Sequence, residues 1–269
     1  MSRSYQAVRY GGQRSQVAEL WRPLDASGSV PVVAIFHGGF WRAIYTKRLM
    51  RGVARDVARR GWAAWNVEYR RVGLGGGWPA TLEDAAAAMD HLRSIDGLDL
   101  SRVAVCGHSA GGQLALWSAA RTRLPEGSPG AGAPGSPPLA VRMAVSLAGV
   151  VDLEEGAALN LGGGAVQAFL GGGPDERPER YAAASPAALR PASVEQVLVH
   201  GTADRVVPLA MSERYVERGK ANGENVELMT LPGAGHRELI DPRGASWGGV
   251  ARRLAHVLGS GRPAGGPAG

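Results

Sequence analysis

A serine between two glycines, Gly107-His108-Ser109-Ala110-Gly111, is the first place where residue types and spacing could build a covalent catalyst. A serine hydroxyl attacks poorly until a base takes its proton and a carboxylate orients that base. The pattern alone is weak, because chance supplies roughly 0.4 matches in so glycine-rich a chain. Gly244-Ala245-Ser246-Trp247-Gly248 is a second match. Context separates the two. Ser109 follows the apolar run "RVAVC" and precedes the helical pattern "AGGQLALWSAARTRL", the strand–turn–helix that the chemistry requires. Ser246 follows the polar "DPRGA" and reads as a helix cap.

If Ser109 is the nucleophile, an acid and then a histidine should follow it in the chain. Asp204, in "VLVHGTADRVVP", and His236, in "LMTLPGAGHREL", each come just past a strand-like run. Both then lie at the carboxyl ends of parallel strands, where ligand crevices form. Plainer roles exist, an Asx turn for Asp204 and a surface loop for His236. Asp152 is the substitute acid. His200 lies inside a strand run, and His91 and His256 fall within helices. His37 and His108 belong to glycine motifs, where a histidine braces a loop more often than it shuttles protons.

Acyl transfer also needs hydrogen-bond donors aimed at a tetrahedral oxyanion. The N–H of Ala110, just after the nucleophile, is one expected donor. Others must come from a loop after an earlier strand. His37-Gly38-Gly39-Phe40-Trp41 occupies that place, directly after "VPVVAIF". The alternative is a plain strand-to-helix turn.

These residues need a scaffold that gathers strand ends. Apolar, β-branched runs recur as "VPVVAIF", "GWAAWNV", "RVAVC", "VRMAVSLAG", "EQVLVHG" and "NVELMTL", with helical patterns between most of them. Runs buried on both faces and alternating with helices predict an α/β fold, a mostly parallel, doubly wound sheet. "YQAVRY" and "SQVAELW", split by Gly11-Gly12, predict an antiparallel hairpin at the N-terminus. Leu49, Val53 and Val57 mark the buried face of a helix ending at Gly61, and Thr81-x-x-Asp84 after Pro79 reads as a capping box.

The expected organisation is one domain over residues 1–260, with 261–269 a disordered tail. Residues 124–138 read as a flexible Gly/Pro loop. Residues 152–190 are too long for a simple connection and predict a small cap or lid over the sheet's carboxyl edge.

Net charge is +6 with a pI near 10, but the arginines are dispersed among acids rather than gathered. That argues against a nucleic-acid partner, which needs a concentrated patch. No apolar stretch is long enough for a bilayer, so no membrane partner is expected. A lone Cys106 and the absence of an apolar leader point to the cytoplasm. No Cys/His cluster suggests a metal, and none of the proposed chemistry calls for a cofactor. A homodimer stays open.

Together HGGFW, GHSAGG, HGTADRVVP and GAGH resemble the α/β-hydrolase superfamily from about Val30 to Leu258. The nearest groups are small esterases and arylformamidases, hormone-sensitive-lipase-like esterases, and lone catalytic domains of the prolyl-oligopeptidase type. The resemblance implies oxyanion donors at Gly39, Phe40 and Ala110. Hormone-sensitive-lipase-like members carry a third glycine where this chain has Phe40. Phe40-Trp41 instead resembles the HGGYW of kynurenine formamidases, whereas "HGTADRVVPLAMSERY" leans towards oligopeptidase-like esterases.

The expected activity is hydrolysis of a small carboxylic ester or activated amide by a Ser109–His236–Asp204 triad through an acyl-enzyme. The alternatives are an arylformamidase acting on N-formylkynurenine and, in another class, a ligand receptor without turnover. Pocket candidates are Trp41, Tyr69, Trp78 and Phe169, aromatics near the motifs that suit a small apolar or aromatic acyl compound. Trp62, Trp65 and Trp117 read as core.

Overall fold

The computed structural model describes residues 5–24, 28–133, 135–191 and 193–259. The former expectation of a disordered tail at 261–269 therefore lies outside the described residues. In chain order the elements are β1 (Gln6–Arg9), β2 (Val17–Trp21), β3 (Val30–Phe36), α1 (Arg51–Arg59), β4 (Ala63–Val67), α2 (Ala80–His91), β5 (Leu98–His108) and α3 (Ala110–Ala120). They continue with β6 (Met143–Leu147), α4 (Leu153–Ala158), α5 (Ala165–Leu170), α6 (Pro178–Ala184), α7 (Pro186–Leu189), β7 (Glu195–Gly201), α8 (Leu209–Ala221), β8 (Val226–Leu231) and α9 (Ala245–Leu258).

The strands form one sheet in the order β1-β2-β4-β3-β5-β6-β7-β8. β1, β2 and β4 pair antiparallel, and every pairing from β4 through β8 is parallel. Alternate side chains of β3 explain why both faces must be covered. Val32, Ala34 and Phe36 pack in one layer with Leu82 of α2, Leu114 of α3 and Tyr215 of α8. Val33 and Ile35 enter the opposite layer with Val53 and Val57 of α1 and Trp247 and Leu254 of α9. At about 25 cal/mol per Å² of apolar surface, this two-sided burial is the main force holding the sheet centre. No helix among the described residues is long and apolar enough to cross a membrane.

Two local expectations are corrected. Leu49 is more than a third exposed and Met50 takes the inward position. The cause is a tight 3₁₀ turn over Lys47–Met50, which shifts the helical phase ahead of α1. Thr81 and Asp84 form no capping box, because Pro79 rather than Thr81 is the N-cap of α2. The Thr81 hydroxyl donates to Arg70 O, and the buried Asp84 carboxylate binds the Arg70 guanidinium and Gln16 Nε2.

Between β6 and β7, residues 152–190 fold into α4–α7. Indole and amide groups of α3 tie this segment down. Trp117 Nε1 donates to Ala183 O and Gln113 Nε2 to Ala184 O, each at 2.9 Å. The Gly/Pro segment before β6 is tethered in turn, with Arg121 Nε donating to Gly130 O at 2.7 Å.

Candidate active site

β5 runs straight into the tight turn that presents Ser109. The serine has φ 56° and ψ −121°, a conformation that L side chains avoid. Its surroundings enforce that backbone. The N–H of Ser109 donates to Leu147 O at 2.8 Å, which docks the turn on β6. A Cβ on Gly107 would collide with Gly111 O, and one on Gly111 with Phe36 O. Backbone therefore crosses backbone on both sides of Ser109, and the two glycines of the motif are a packing requirement.

His236 is fixed by its acid partner. Its Nδ1–H donates to Asp204 Oδ2 at 2.7 Å, which leaves Nε2 as the ring nitrogen free to take a proton. The Asp204 side chain is fully buried and its Oδ1 accepts the N–H groups of Val206 and Val207. Burial alone would raise this carboxyl. The His200 and His236 contacts, together with the Val206 N–H, outweigh that and hold it far below the usual carboxylate range. His200 Nε2 lies 3.3 Å from Asp204 Oδ2 while bonding Val207 O at 2.9 Å, and its Nδ1 meets Ser212 Oγ at 2.8 Å.

His108 joins the two halves of the site. Its Nε2–H donates to His236 O at 2.9 Å, and the two imidazole centroids are 4.5 Å apart. The residue beside Ser109 thus holds the His236 loop. Burial, then the neighbouring His236, push the His108 ring down to about 3, so it is neutral and donates without titrating. Among the described residues no hydrogen bond joins Ser109 Oγ to the His236 ring.

The glycine loop lies against the same turn. A Cβ on Gly38 would sit 2.9 Å from Ser109 Cβ. Gly39 takes φ 110°, Phe40 52° and Trp41 54°, a run of positive φ that folds the loop back on itself. Arg42 N closes it by donating to Gly39 O at 3.0 Å. The N–H groups of Gly39 and Phe40 have no protein acceptor among the described residues. Ala110 opens α3, so its N–H has no acceptor within the helix.

The pocket candidates divide differently from the expectation. Trp41, Tyr69 and Phe169 have no accessible surface, so none is an open wall. Trp41 stacks on Phe169 at 4.4 Å and 5°, and its Nε1 donates to Gln113 Oε1 at 3.1 Å. Tyr69 stacks on His37 at 4.4 Å and 9°, and its hydroxyl donates to His37 O at 2.8 Å. These rings are the post and brace of the glycine loop. Trp78 and Phe40 remain part-exposed. Arg42 is occupied, since its guanidinium donates to Gly162 O.

Asp152 caps α4, accepting from Glu155 N at 3.1 Å, and faces Arg218, so its carboxylate has work away from His236. Cys106 lies under the turn with its thiol pushed up to about 12 by burial, which keeps it unreactive. Glu68 went unnoticed in the sequence. It directly follows β4 and accepts from His37 Nε2 at 2.8 Å. The signal available was a lone carboxylate closing a buried strand.

The chain is similar to esterase LipC of Mycobacterium tuberculosis, at 30% identity over 93% of this chain and 64% of that protein. It therefore spans less than two thirds of that relative's length. A truncated carbohydrate esterase from gut microbiota has the same fold, with a TM-score of 0.83, 20% identity, and 95% and 97% of the two chains covered. A thermophilic esterase from Thermogutta terrifontis, solved with butyrate bound, gives 0.77 and 22% over 98% and 97%. Both neighbours share the mostly parallel, helix-covered sheet described above. The BD-FAE family model matches residues 19–218, from within β2 into α8. On that match, which takes in the serine turn, the glycine loop and Asp204, the chain belongs to the BD-FAE family.

Proposed function

We propose that the protein is a serine esterase that cleaves small carboxylic esters through an acyl-enzyme. The observation that carries this reading is the His236–Asp204 bond tied through His108 to a serine in a strained turn. In this reading Ser109 Oγ attacks the ester carbonyl while His236 Nε2 takes its proton. Asp204 keeps the Nδ1–H tautomer and offsets the charge that forms on the ring. The N–H groups of Gly39, Phe40 and Ala110 receive the oxyanion. His236 then protonates the leaving alcohol, and water releases the acid by the same steps in reverse roles. Ester hydrolysis by relatives of this fold supports the reading, as does the lone buried Cys106 for a cytoplasmic setting.

N-formylkynurenine hydrolysis is the second candidate reaction, resting on Phe40-Trp41. Burial of Trp41 weakens it, since that ring presents no face to an aromatic substrate. The receptor reading has against it a complete acid–histidine pair. The test is a panel of p-nitrophenyl acetate, p-nitrophenyl butyrate, an O-acetylated sugar and N-formylkynurenine, run on wild type and Ser109→Ala. Ester turnover lost in Ser109→Ala, with the far-UV spectrum unchanged, is the expected result. Full activity in that variant overturns the assignment, and turnover of N-formylkynurenine alone replaces the esterase by the formamidase.

A further inference from the structure

His37 is fully buried, and both of its ring nitrogens face oxygen. Nδ1 lies 2.8 Å from Gly38 O and Nε2 lies 2.8 Å from Glu68 Oε1. A carbonyl oxygen can only accept. An ionised carboxylate can only accept as well. A neutral imidazole has one N–H, so one nitrogen would then oppose its lone pair to an oxygen lone pair at hydrogen-bond distance in a fully buried site.

We propose that His37 is held as an imidazolium, protonated at both ring nitrogens, and that with Glu68 it forms a buried ion pair that positions the oxyanion loop.

Three features of the site favour the charged ring. Glu68 is surrounded by groups that need it ionised: the Lys47 N–H at 3.2 Å, Arg71 Nη1 at 3.5 Å and Lys47 Nζ at 3.9 Å. Burial alone would raise the Glu68 carboxyl, but the His37 hydrogen bond, the His37 and Arg71 charges and the Lys47 N–H outweigh it and hold it below its ordinary range. The Tyr69 ring lies parallel to the imidazole at 4.4 Å, the arrangement in which an aromatic face stabilises a cation. Arg71 competes little as a counter-charge, because the same Nη1 also donates to Ala43 O and Tyr45 O.

The consequence for the loop follows from peptide geometry. In a trans peptide the C=O and N–H point in opposite directions. A bond from His37 Nδ1 to Gly38 O turns that carbonyl towards the ring and so turns the Gly39 N–H away from it. Gly38 is the residue that abuts Ser109, and the Gly39 N–H has no protein acceptor among the described residues. A ring that lost its Nδ1 proton would repel the carbonyl it now holds, and the peptide would be free to rotate its donor out of line. His37 is thus a positioning residue, acting through the Gly38–Gly39 peptide.

The effect on rate rests on reading Gly39 as an oxyanion donor, whereas the proton count does not, so the two are tested separately. Full-length protein labelled with ¹⁵N-histidine is examined by long-range ¹H–¹⁵N correlation at the pH of maximal activity, with His37→Asn used to assign the ring. Two protonated ring nitrogens on His37 are expected, and one unprotonated nitrogen overturns the proposal. In Glu68→Gln the side-chain NH2 can face Nε2, and the ring should fall to a single proton on Nδ1. The positioning role is read on His37→Phe, which removes the Nδ1–H: kcat for p-nitrophenyl butyrate should fall about tenfold to a hundredfold with KM within about threefold, a fraction of the 10²–10³ that one oxyanion donor supplies. Glu68→Asp, which keeps the anion, should keep the second proton. A Glu68→Gln ring that keeps both protons overturns the ion pair, and His37→Phe with kcat unchanged overturns the positioning role. Should Glu68→Gln not fold, the wild-type spectrum still decides the charge, and should His37→Phe not fold, His37→Asn decides the rate. Activity surviving in Ser109→Ala would strike the esterase reading instead, leaving the proton count untouched.

Discussion

Gly38 is packed so closely on Ser109 that a Cβ on the glycine would lie 2.9 Å from the serine Cβ and 2.6 Å from His108 O. The glycine loop and Ser109 are therefore set by one contact, and neither can move without the other. Gly38→Ala should push the glycine loop off the turn and lower kcat about a hundredfold, the scale of losing one oxyanion donor. Gly12→Ala is the control, because a Cβ there meets nothing within 4 Å. Steady-state kinetics with a thermal melt checks both. Equal kinetics in the two variants would remove the contact from the mechanism.

Asp204 and Asp152 are both acids after strands, but only Asp204 touches His236. Asp204→Asn should cost about 10³–10⁴ in kcat, because the amide favours the wrong tautomer of the histidine. Asp152→Asn should leave kcat within about twofold and lower stability by no more than about 1 kcal/mol, the worth of a helix cap. A larger activity loss at Asp152 would reverse the assignment of the acid.

His108 makes stability depend on acid in a defined window. Burial and the neighbouring His236 push its ring down to about 3 in the fold, against 6.5 unperturbed. Between these values the unfolded chain binds a proton that the native state refuses, so stability falls as pH drops through that range, by at most about 1.4 kcal/mol per pH unit. Asp204 acts lower down. Its folded carboxyl is depressed, so the stability it lends is present above its unfolded value near 3.8 and is lost below it. His108→Gln should flatten the slope of unfolding free energy between pH 6.5 and 4.5, by about 1–3 kcal/mol over that span, while leaving the decline below 3.8. Denaturant titrations at four or five pH values measure this. Parallel curves for the two proteins would show that His108 is not the group responsible.

The candidate site is legible where strand ends follow directly from order along the chain. Ser109, Asp204 and His236 each come after an apolar strand, and parallel pairing brings those strand ends to one edge. Glu68 was illegible for the converse reason. It lies 31 residues from His37, and the two meet only because Phe36 pairs with Val67 in the β3–β4 register, which aligns the residues that follow. No local pattern encodes a register between strands joined by a helix. The capping box failed because Asp84 was drawn to Arg70, a partner 14 residues earlier that outbids a local cap. Aromatic pocket walls failed because side-chain direction depends on φ: the positive values at Phe40 and Trp41 send the indole into the interior.

Trp41 should matter through the support it gives. It fills the space between Phe169 and Gln113, whose amide in turn holds Ala184 O. Trp41→Ala should cost about 3–5 kcal/mol, the range for deleting a buried aromatic. Trp41→Phe keeps the stack but leaves Gln113 Oε1 unpaired, for about 1–3 kcal/mol. Urea unfolding of the two variants separates stacking from hydrogen bonding. A Trp41→Phe variant as stable as wild type would show that the indole N–H contributes nothing net.

Phe40 offers the most direct route from structure to selectivity. Its ring packs on Gly162, where a Cβ would lie 2.9 Å away, and Gly162 itself takes φ 60°. Arg42 holds the same glycine by its carbonyl, so the segment between α4 and α5 is clamped to the glycine loop from two sides. Gly162→Ala introduces a Cβ that the part-exposed Phe40 ring must avoid, and in the proposed reading the acyl group enters beside that ring. Stability should fall by about 1 kcal/mol from the positive φ. The ratio of kcat/KM for p-nitrophenyl butyrate to that for the acetate should fall about tenfold, since the longer chain loses room that the shorter one does not use. Arg42→Ala releases the clamp without adding volume and should shift the ratio little. If Gly162→Ala lowers both substrates equally, Phe40 does not border the acyl chain, and the side of the site that reads chain length lies elsewhere.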